Sequence, residues 1–585
     1  MAFEPRETGP ERALRVGILG LVVLACGAAS GCGASGLRRF PLRAPVLADT
    51  DTRPVAVRCR LAPTDKEKDH VSCAPEPYVS PLVWDGADNL VFRPLSDGLA
   101  MRSVGESVNV NALDEVPDSA WFTNRVGVRP FPIDELTRAA CDAKQALDGE
   151  GVEPGAWVID GGKSNGATAG FRVRPKGKGK YMFKSDAPTP ERPSAASVIG
   201  AAAYHAVGFN TSCEQVVFVA PSAFKLTAGL TVTNNSGVTT PFDEKALKKV
   251  IDESPHRDGR IRMQASAWLP GYLIGPFRYE HTRADDPNDV IPHEDRRELR
   301  GGRLLAAWLN HFDAREQNSM DSWIAENPKG PPDASPGYVR HYYLDTSDSL
   351  GSEWDWDGVS RRLGFSYLLD WGDVSTDFLT LGLLSRPWDQ VRKQPGQELF
   401  AYFDVEHFVP DKWVNEYPNP AFTRMTERDG AWMARILARF TPEMVAALAK
   451  MGRFEKASNT EYLTKVLQGR LERILARYLT RVSPITDVRA QGERVCGRDL
   501  ARIRGVRSAA EFRYTATLSV DGAPPAPLAV ITEGEETCVP LGAPASRDRY
   551  LVIRVRNGVA PGPLELHVRE TGGAYVVAGL DRPAE

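Results

Sequence analysis

The stretch from Trp308 to Trp323, WLNHFDAREQNSMDSW, sets His311, Asp313 and Asn318 in the order H-x-D-x-x-x-x-N just beyond an apolar run. In phosphoryl transfer an Asp accepts or orients the attacking hydroxyl, and an Asn one turn later holds a magnesium ion. Further along, RHYYLDTSDSLG reads as a strand that breaks at Asp345, which would supply a second metal ligand. If the two stretches meet, they form an acidic, amide-bearing site suited to a divalent cation on a phosphate. Taken alone, D-x4-N is a common pattern, and its bland reading is a helix cap beside a solvated loop.

Three other features bear on that choice. Gly161-Gly162-Lys163-Ser164-Asn165-Gly166, with Gly170 after it, is a Gly-dense turn between two strands, where backbone amides could cover phosphates. Its GKS is not a P-loop, because Trp157 stands five positions before Gly162 and no helix follows directly. KYMFKSD places Lys184 on a third strand, facing phosphates if buried and solvent if the strand is an edge. Gly turn, strand Lys, connector, D-x4-N and Asp follow one another in the order that a two-lobed kinase needs.

The elements that must position these residues can be traced by pattern. AWVIDGG, TAGFRVRP and GKYMFKSD are short apolar runs divided by Gly and Lys clusters, as in hairpins. A helix follows, with Ser194 as its expected N-cap and Gly208 as its stop. EQVVFVA reads as another strand, and ASAWLPGYLIGPF as a hinge-like connector. Leu304, Leu305, Trp308 and Leu309 then make an apolar stripe at helical spacing, as do Trp432, Ile436 and Phe440. Thr441-Pro442 opens one further helix, and Leu467, Leu471, Ile474 and Tyr478 mark a last one. Beyond about Pro484, short alternating strands such as RYLVIRV, PLELHV and AYVVAGL predict an all-β sandwich.

With 585 residues, 42% hydrophobic and 25% charged, the chain has the composition of a globular protein of several domains. A net charge of −4 and no basic stripe argue against nucleic acid as a partner. After Arg12 and Arg15, VGILGLVVLACGAASGC is too short for a stable membrane-spanning helix but suits a signal peptide. Its end, Ala29-Ser30-Gly31-Cys32, resembles a bacterial lipobox, with lipidation at Cys32; Cys26 offers a rival site, and a plain secretory signal is the alternative. The expectation is a cell-envelope protein held to the membrane by an N-terminal lipid anchor. Gly33 to about Pro81 is Pro-rich and lacks periodicity, which predicts a tether. Cys59 with Cys73 and Cys496 with Cys538 are the expected disulfides, while Cys141 and Cys213 are either paired or buried. There is no H-E-x-x-H and no G-x-S-x-G, so protease and esterase readings have no support.

On Lys184, Asp313, Asn318 and Asp345 the chain resembles a divergent member of the protein-kinase-like superfamily. It is nearest in style to the HipA-like kinases, the phosphatidylinositol 3- and 4-kinases and the CotH-type spore-coat kinases. It also resembles a group of exported bacterial proteins with a HYLxDFGxxLG-like segment. The resemblance covers roughly Leu82 to Ile485 and implies a bilobal α+β fold that binds ATP and Mg²⁺. Gly162, Gly166, Gly170 and Lys184 would face the nucleotide, Asp313 would serve the acceptor hydroxyl, and Asn318 and Asp345 would hold the metal. The expected organisation is a signal peptide (1–31), a tether (32–81), a β-rich N-lobe (82–270), a helical C-lobe (271–485) and a β-sandwich (486–585).

The departures are specific. Asp345-Thr346-Ser347 replaces D-F-G, and His311-Phe312-Asp313 replaces H-R-D. Ala196-Ser197-Val198 stands where a helix Glu should pair with Lys184, with Glu191 as a candidate substitute. Two functions therefore stay open: a phosphotransferase acting on an unidentified hydroxyl of a protein or small molecule, or an inactive kinase-like binding module. Two further acidic clusters have bland readings. Asp285, Asp286, Asp289 and Glu294 read as a helix start facing its own arginines, and Asp355 and Asp357 as a packed turn.

Overall fold

The computed structural model describes residues 37–40, 59–61, 71–79, 82–99, 104–163, 168–187, 189–234, 238–352, 354 and 356–583. Cys26, Cys32, Gly166 and Asp355 lie outside these residues, as does the apolar run before Cys32.

Strands β1 (Trp157–Gly162), β2 (Gly170–Pro175) and β3 (Tyr181–Lys184) form the expected meander, and the turns between them carry the Gly and Lys clusters. Helix α1 (Arg192–Val207) follows. It starts two residues before the expected cap, at Arg192-Pro193, because the Ser194 hydroxyl is taken by Asp186 at 2.8 Å. Gly208, at φ +145°, stops it. The helix is apolar on all sides and correspondingly buried on all sides. Strands β4 (Asn210–Thr211), β5 (Glu214–Val219), β6 (Phe224–Leu226), β7 (His256–Arg257) and β8 (Arg260–Ala267) come next, with helix α2 (Glu244–Glu253) between β6 and β7. The first sheet runs β7–β8–β3–β2–β1–β6, with β5 also paired to β8, so Lys184 sits on an interior strand.

At 268–271 the chain crosses to a second sheet. The stretch read as a hinge is thus the end of β8, a short crossing and strand β9 (Tyr272–Gly275). Helix α3 (Arg297–Leu309) leads into strands β10 (Ser319–Ala325) and β11 (Gly337–Tyr343), and the second sheet is ordered β9–β10–β11–β4. Helices α4 (Glu427–Leu437), α5 (Pro442–Met451) and α6 (Ala457–Tyr478) pack on α3. Thr441 caps α5 as its sequence predicts, accepting from the Met444 amide at 3.3 Å. The core around these helices also takes in Val116, Trp121, Phe122 and Leu136 from the segment ahead of the first sheet.

Beyond α6, nine strands between Ile485 and Asp581 form a four-stranded and a five-stranded sheet that share one apolar core. Two of these strands, Ile485–Gln491 and Arg494–Asp499, are ones the alternation pattern does not reveal. All three cysteine pairs are bonded: Cys59–Cys73, Cys496–Cys538 and Cys141–Cys213. The expected tether is not loose throughout. Phe40 is buried against His567 and Gly579 of the C-terminal sheets, and its amide donates to the Tyr550 hydroxyl at 2.9 Å. Cys73 and Tyr78 are likewise held, by hydrogen bonds to Asp333 and Ile274.

Candidate active site

The hairpin register settles whether the two acidic stretches meet. Ser319 of β10 pairs with Tyr343 of β11, and the Leu344 amide donates to the Asn318 carbonyl at 2.9 Å. Asn318 and Asp345 therefore flank the same end of one hairpin. Upstream, α3 ends at Asn310 in the left-handed region (φ +53°), a conformation that Asn tolerates. That reversal points Asp313 at Asn318, whose amide nitrogen donates to the Asp313 carbonyl at 2.8 Å and to its Oδ2 at 2.7 Å. Asp313 is thus no helix cap. With its nitrogen committed to Asp313, the amide group of Asn318 has its oxygen left as the acceptor.

Helix α1 sets the position of Asp345. A Cβ at Gly200 would lie 2.3 Å from the Thr346 hydroxyl, so the bare glycine lets the helix approach. Thr346 then donates to the carbonyls of Ala196 and Ser197 at 3.3 and 3.2 Å. The helix turn that lacks a Glu is occupied by backbone contacts with the residue after Asp345. Asp345 itself has φ +48°. From the other side, Lys184 Nζ donates to Asp345 Oδ2 at 2.8 Å. Glu191 makes no substitute: its carboxylate accepts from the Glu455 amide at the far end of α1.

The electrostatics follow from burial and neighbours. Lys184 is 9% exposed, which alone would lower its pKa, but Asp345, then Glu214 and Asp348, raise it above the usual value and keep it charged. Desolvation works to raise Asp345, yet Lys184, Ser347 and Lys163 outweigh it and hold the carboxyl well below the ordinary range. Lys163, in the Gly-dense turn, is pushed down to about 8 by burial and by Lys184, against the pull of Asp345 and Asp348. Its Nζ donates to the Thr168 carbonyl at 2.7 Å. Asp313 behaves oppositely. Burial, then Asp348 and Glu416, push its carboxyl well up, and Arg315 only partly offsets them. Its Oδ1 is buried with no hydrogen-bond partner and lies 3.4 Å from His311 Nε2. Burial lowers His311 to about 4, so the ring is neutral and is oriented by Tyr204, 2.8 Å from Nδ1.

The expected glycines serve packing as much as any ligand. A Cβ on Gly162 would strike Val232 and Phe242, and one on Gly170 would strike the Phe183 carbonyl. Gly170 is nevertheless paired with Lys184 across β2 and β3, so the turn lies beside the lysine. Within the further acidic clusters, Asp285 pairs with Arg283 at 3.0 Å, Asp289 bonds His293 at 2.7 Å, and Asp357 bonds Arg361 at 2.7 Å.

The donor set facing Lys184 is carboxylate and amide oxygen, which suits Mg²⁺ and not zinc or copper. The buried Asp313 oxygen without a partner fits the same picture, because a cation or a donor hydroxyl would satisfy it. Among the described residues, the one group of three metal-ligating His, Cys, Asp or Glu side chains with ligand atoms mutually in reach is Cys496, Glu536 and Cys538, and a disulfide uses both sulfurs.

No family model and no curated protein matches the chain. Among solved structures, it is similar to the crystal structure of a Helicobacter pylori proinflammatory kinase, CtkA. The identity is 11% and the TM-score 0.30, over 57% of this chain and 98% of that one. A likeness that loose carries no argument.

Four groups at the site are not evident from motif reading: Lys163, Glu214, Asp348 and Glu416. Lys163 and Asp348 are next to residues already singled out, and their proximity in sequence is a usable signal. Glu214 and Glu416 reach the site only through the sheet pairing and through the Glu416 amide's bond to the Phe312 carbonyl.

Proposed function

We propose that this protein is a kinase-like phosphotransferase that binds ATP with Mg²⁺ and transfers phosphate to a hydroxyl acceptor. The observation that carries the proposal is the convergence of Lys184, from the first sheet, with Asp345 and the Asp313–Asn318 pair, from the helical part, at one place. Asn318 and Asp345 would hold the magnesium ion, which supplies neutralisation of phosphate charge. Lys184 and Lys163 would face phosphate oxygens as point charges. Asp313, fixed by Asn318, would orient the acceptor hydroxyl. Its raised pKa makes transfer increase with pH until the carboxyl is ionised. Catalysis of this kind is positioning and charge stabilisation, which a buried, pre-oriented site supplies.

A second reading, an inactive binding module, is favoured by the direct Lys184–Asp345 ion pair, which engages two nucleotide-facing groups with each other. One measurement separates the two: the thermal midpoint with ATP, with Mg²⁺ and with both. A rise that needs both ligands supports the phosphotransferase, since a ligand bound only by the folded state must raise the midpoint. No shift at millimolar ATP leaves the module. Export and attachment to the cell envelope by a lipid on Cys32 belong to the same proposal and rest on the N-terminal sequence.

A further inference from the structure

A ten-residue helix, Trp371–Thr380, is turned the wrong way for a surface helix. A helix of a globular protein normally buries its apolar stripe and shows its charges to water. Here Trp371, Val374, Phe378 and, just past the helix end, Leu381 follow helical spacing on one face, and that face is exposed. The opposite, polar face is the more sheltered one. Asp373 accepts from the Ser366 hydroxyl at 2.7 Å, and Arg386 binds both Asp373 and Asp377, at 3.0 and 2.6 Å. No residue of the helix is buried. A ten-residue helix has little stability of its own in water, so an apolar face left open needs a partner to offset its exposure.

A second element with exposed apolar side chains touches this helix. The helical segment 82–99 presents Trp84, Leu95 and Leu99 to solvent, and the Trp371 indole donates to the Leu90 carbonyl of that segment at 3.3 Å. Segment 82–99 also reaches toward the candidate site: its Asp85 accepts from the Tyr417 hydroxyl, and Tyr417 follows Glu416.

We infer that this double apolar face is a membrane-docking surface that takes up lipid. Its side chains stand out singly: Phe378 is 80%, Leu381 85% and Leu383 87% exposed. Such projections fit a fluid hydrocarbon phase better than a preformed protein surface, which recognises by complementary shape. Two tryptophans, Trp371 and Trp84, belong to the exposed set, and indoles are enriched at bilayer interfaces. The N-terminal reading points the same way. Phe40 is seated on the C-terminal sheets only eight residues after Cys32, so a lipid there would hold that part of the fold within about 29 Å of the bilayer. The inference does not require nucleotide binding and stands apart from the phosphotransferase proposal.

The test uses the full chain with a fluorescent amino acid at position 378, at 383 or, as control, at the exposed Val238. Vesicles of phosphatidylethanolamine and phosphatidylglycerol, with acyl chains brominated or not, supply the quencher. Emission at 378 and 383 is expected to fall at least threefold with brominated lipid and to be unchanged at 238. Leu379→Asp with Leu381→Asp should abolish quenching at 378 without moving the thermal midpoint, because neither side chain is buried. Equal emission at all three positions would overturn the inference. So would self-quenching at 378 that grows with protein concentration in the absence of lipid, which assigns the face to a second copy of the chain.

Discussion

Two clusters of buried charge are built on opposite principles. In one, Asp114 is reached by three arginines from separate parts of the chain: Arg297 of α3 at 2.6 Å, Arg435 of α4 at 3.2 Å and Arg582 at 2.7 Å. Burial works against this carboxylate, yet the guanidinium groups hold its pKa well below the usual range. In the other, Asp313 is buried among Asp348 and Glu416, its pKa is pushed up, and one of its oxygens has no partner. The first is a carboxylate whose charge is neutralised by the fold and which clasps the helices to the C-terminal sheets. The second is left short of positive charge, which is what the proposed role of receiving a cation or a hydroxyl requires.

The comparison can be broken most directly at the clasp. Asp114→Ala removes the shared partner of three buried arginines, leaving Arg582 without a carboxylate while Arg297 keeps Asp429 and Arg435 keeps Glu115. It should cost about 3–5 kcal/mol, read as a lower urea midpoint. The ATP-and-Mg²⁺-dependent rise in thermal midpoint should survive in the protein that remains folded. Gly200→Val ranks next. Overpacking against Thr346 should cost about 1–3 kcal/mol and, unlike the clasp variant, should remove the nucleotide effect by displacing Asp345. Asp345→Ala removes the partner of Lys184, whose side chain is only 11% exposed, and should cost about 1–3 kcal/mol, less than the clasp variant because Asp345 itself is 38% exposed. The nucleotide-dependent shift should vanish all the same; its persistence would sink the metal-ligand role. Asp313→Asn should leave stability unchanged or slightly higher while lowering transfer by about 10²–10⁴-fold.

Acid and base separate these carboxylates by sign, and the site holds both kinds. Asp114 and Asp345 have depressed native pKa values, so their contribution is full above the ordinary carboxylate range and is lost as pH falls below it. Glu416 is raised, first by burial, to about 7, so the native state binds more protons than the unfolded chain between about 4.5 and 7. Its contribution declines as pH rises through that window. Urea midpoints at pH 5, 6 and 7 should fall less steeply for Glu416→Gln than for the parent chain.

Much of this was legible in residue order. The strand bearing Lys184, the α3 stripe, the Thr441-Pro442 helix start and the break at Asp345 all follow from local pattern, because periodicity and capping act within a few residues. The position of the helix start at Arg192 was not legible, since Ser194 is claimed by Asp186 and Arg262 through tertiary contacts. Nor was the seat of Phe40, whose partners lie more than 500 residues away. The missing helix Glu looked like a defect in sequence. In the fold, Gly200 and Thr346 fill that space with backbone contacts, and Lys184 turns to Asp345.

By itself, the sequence determined which residues could do phosphate chemistry and on which kinds of element they sit, because those properties depend on side-chain type and short-range spacing. Tertiary contacts alone bring Asn318 and Asp345 to one hairpin end and Lys184 to Asp345. They also leave Asp313 without compensating charge. Register, burial and the balance of nearby charges depend on contacts between distant segments, and spacing along the chain does not encode them.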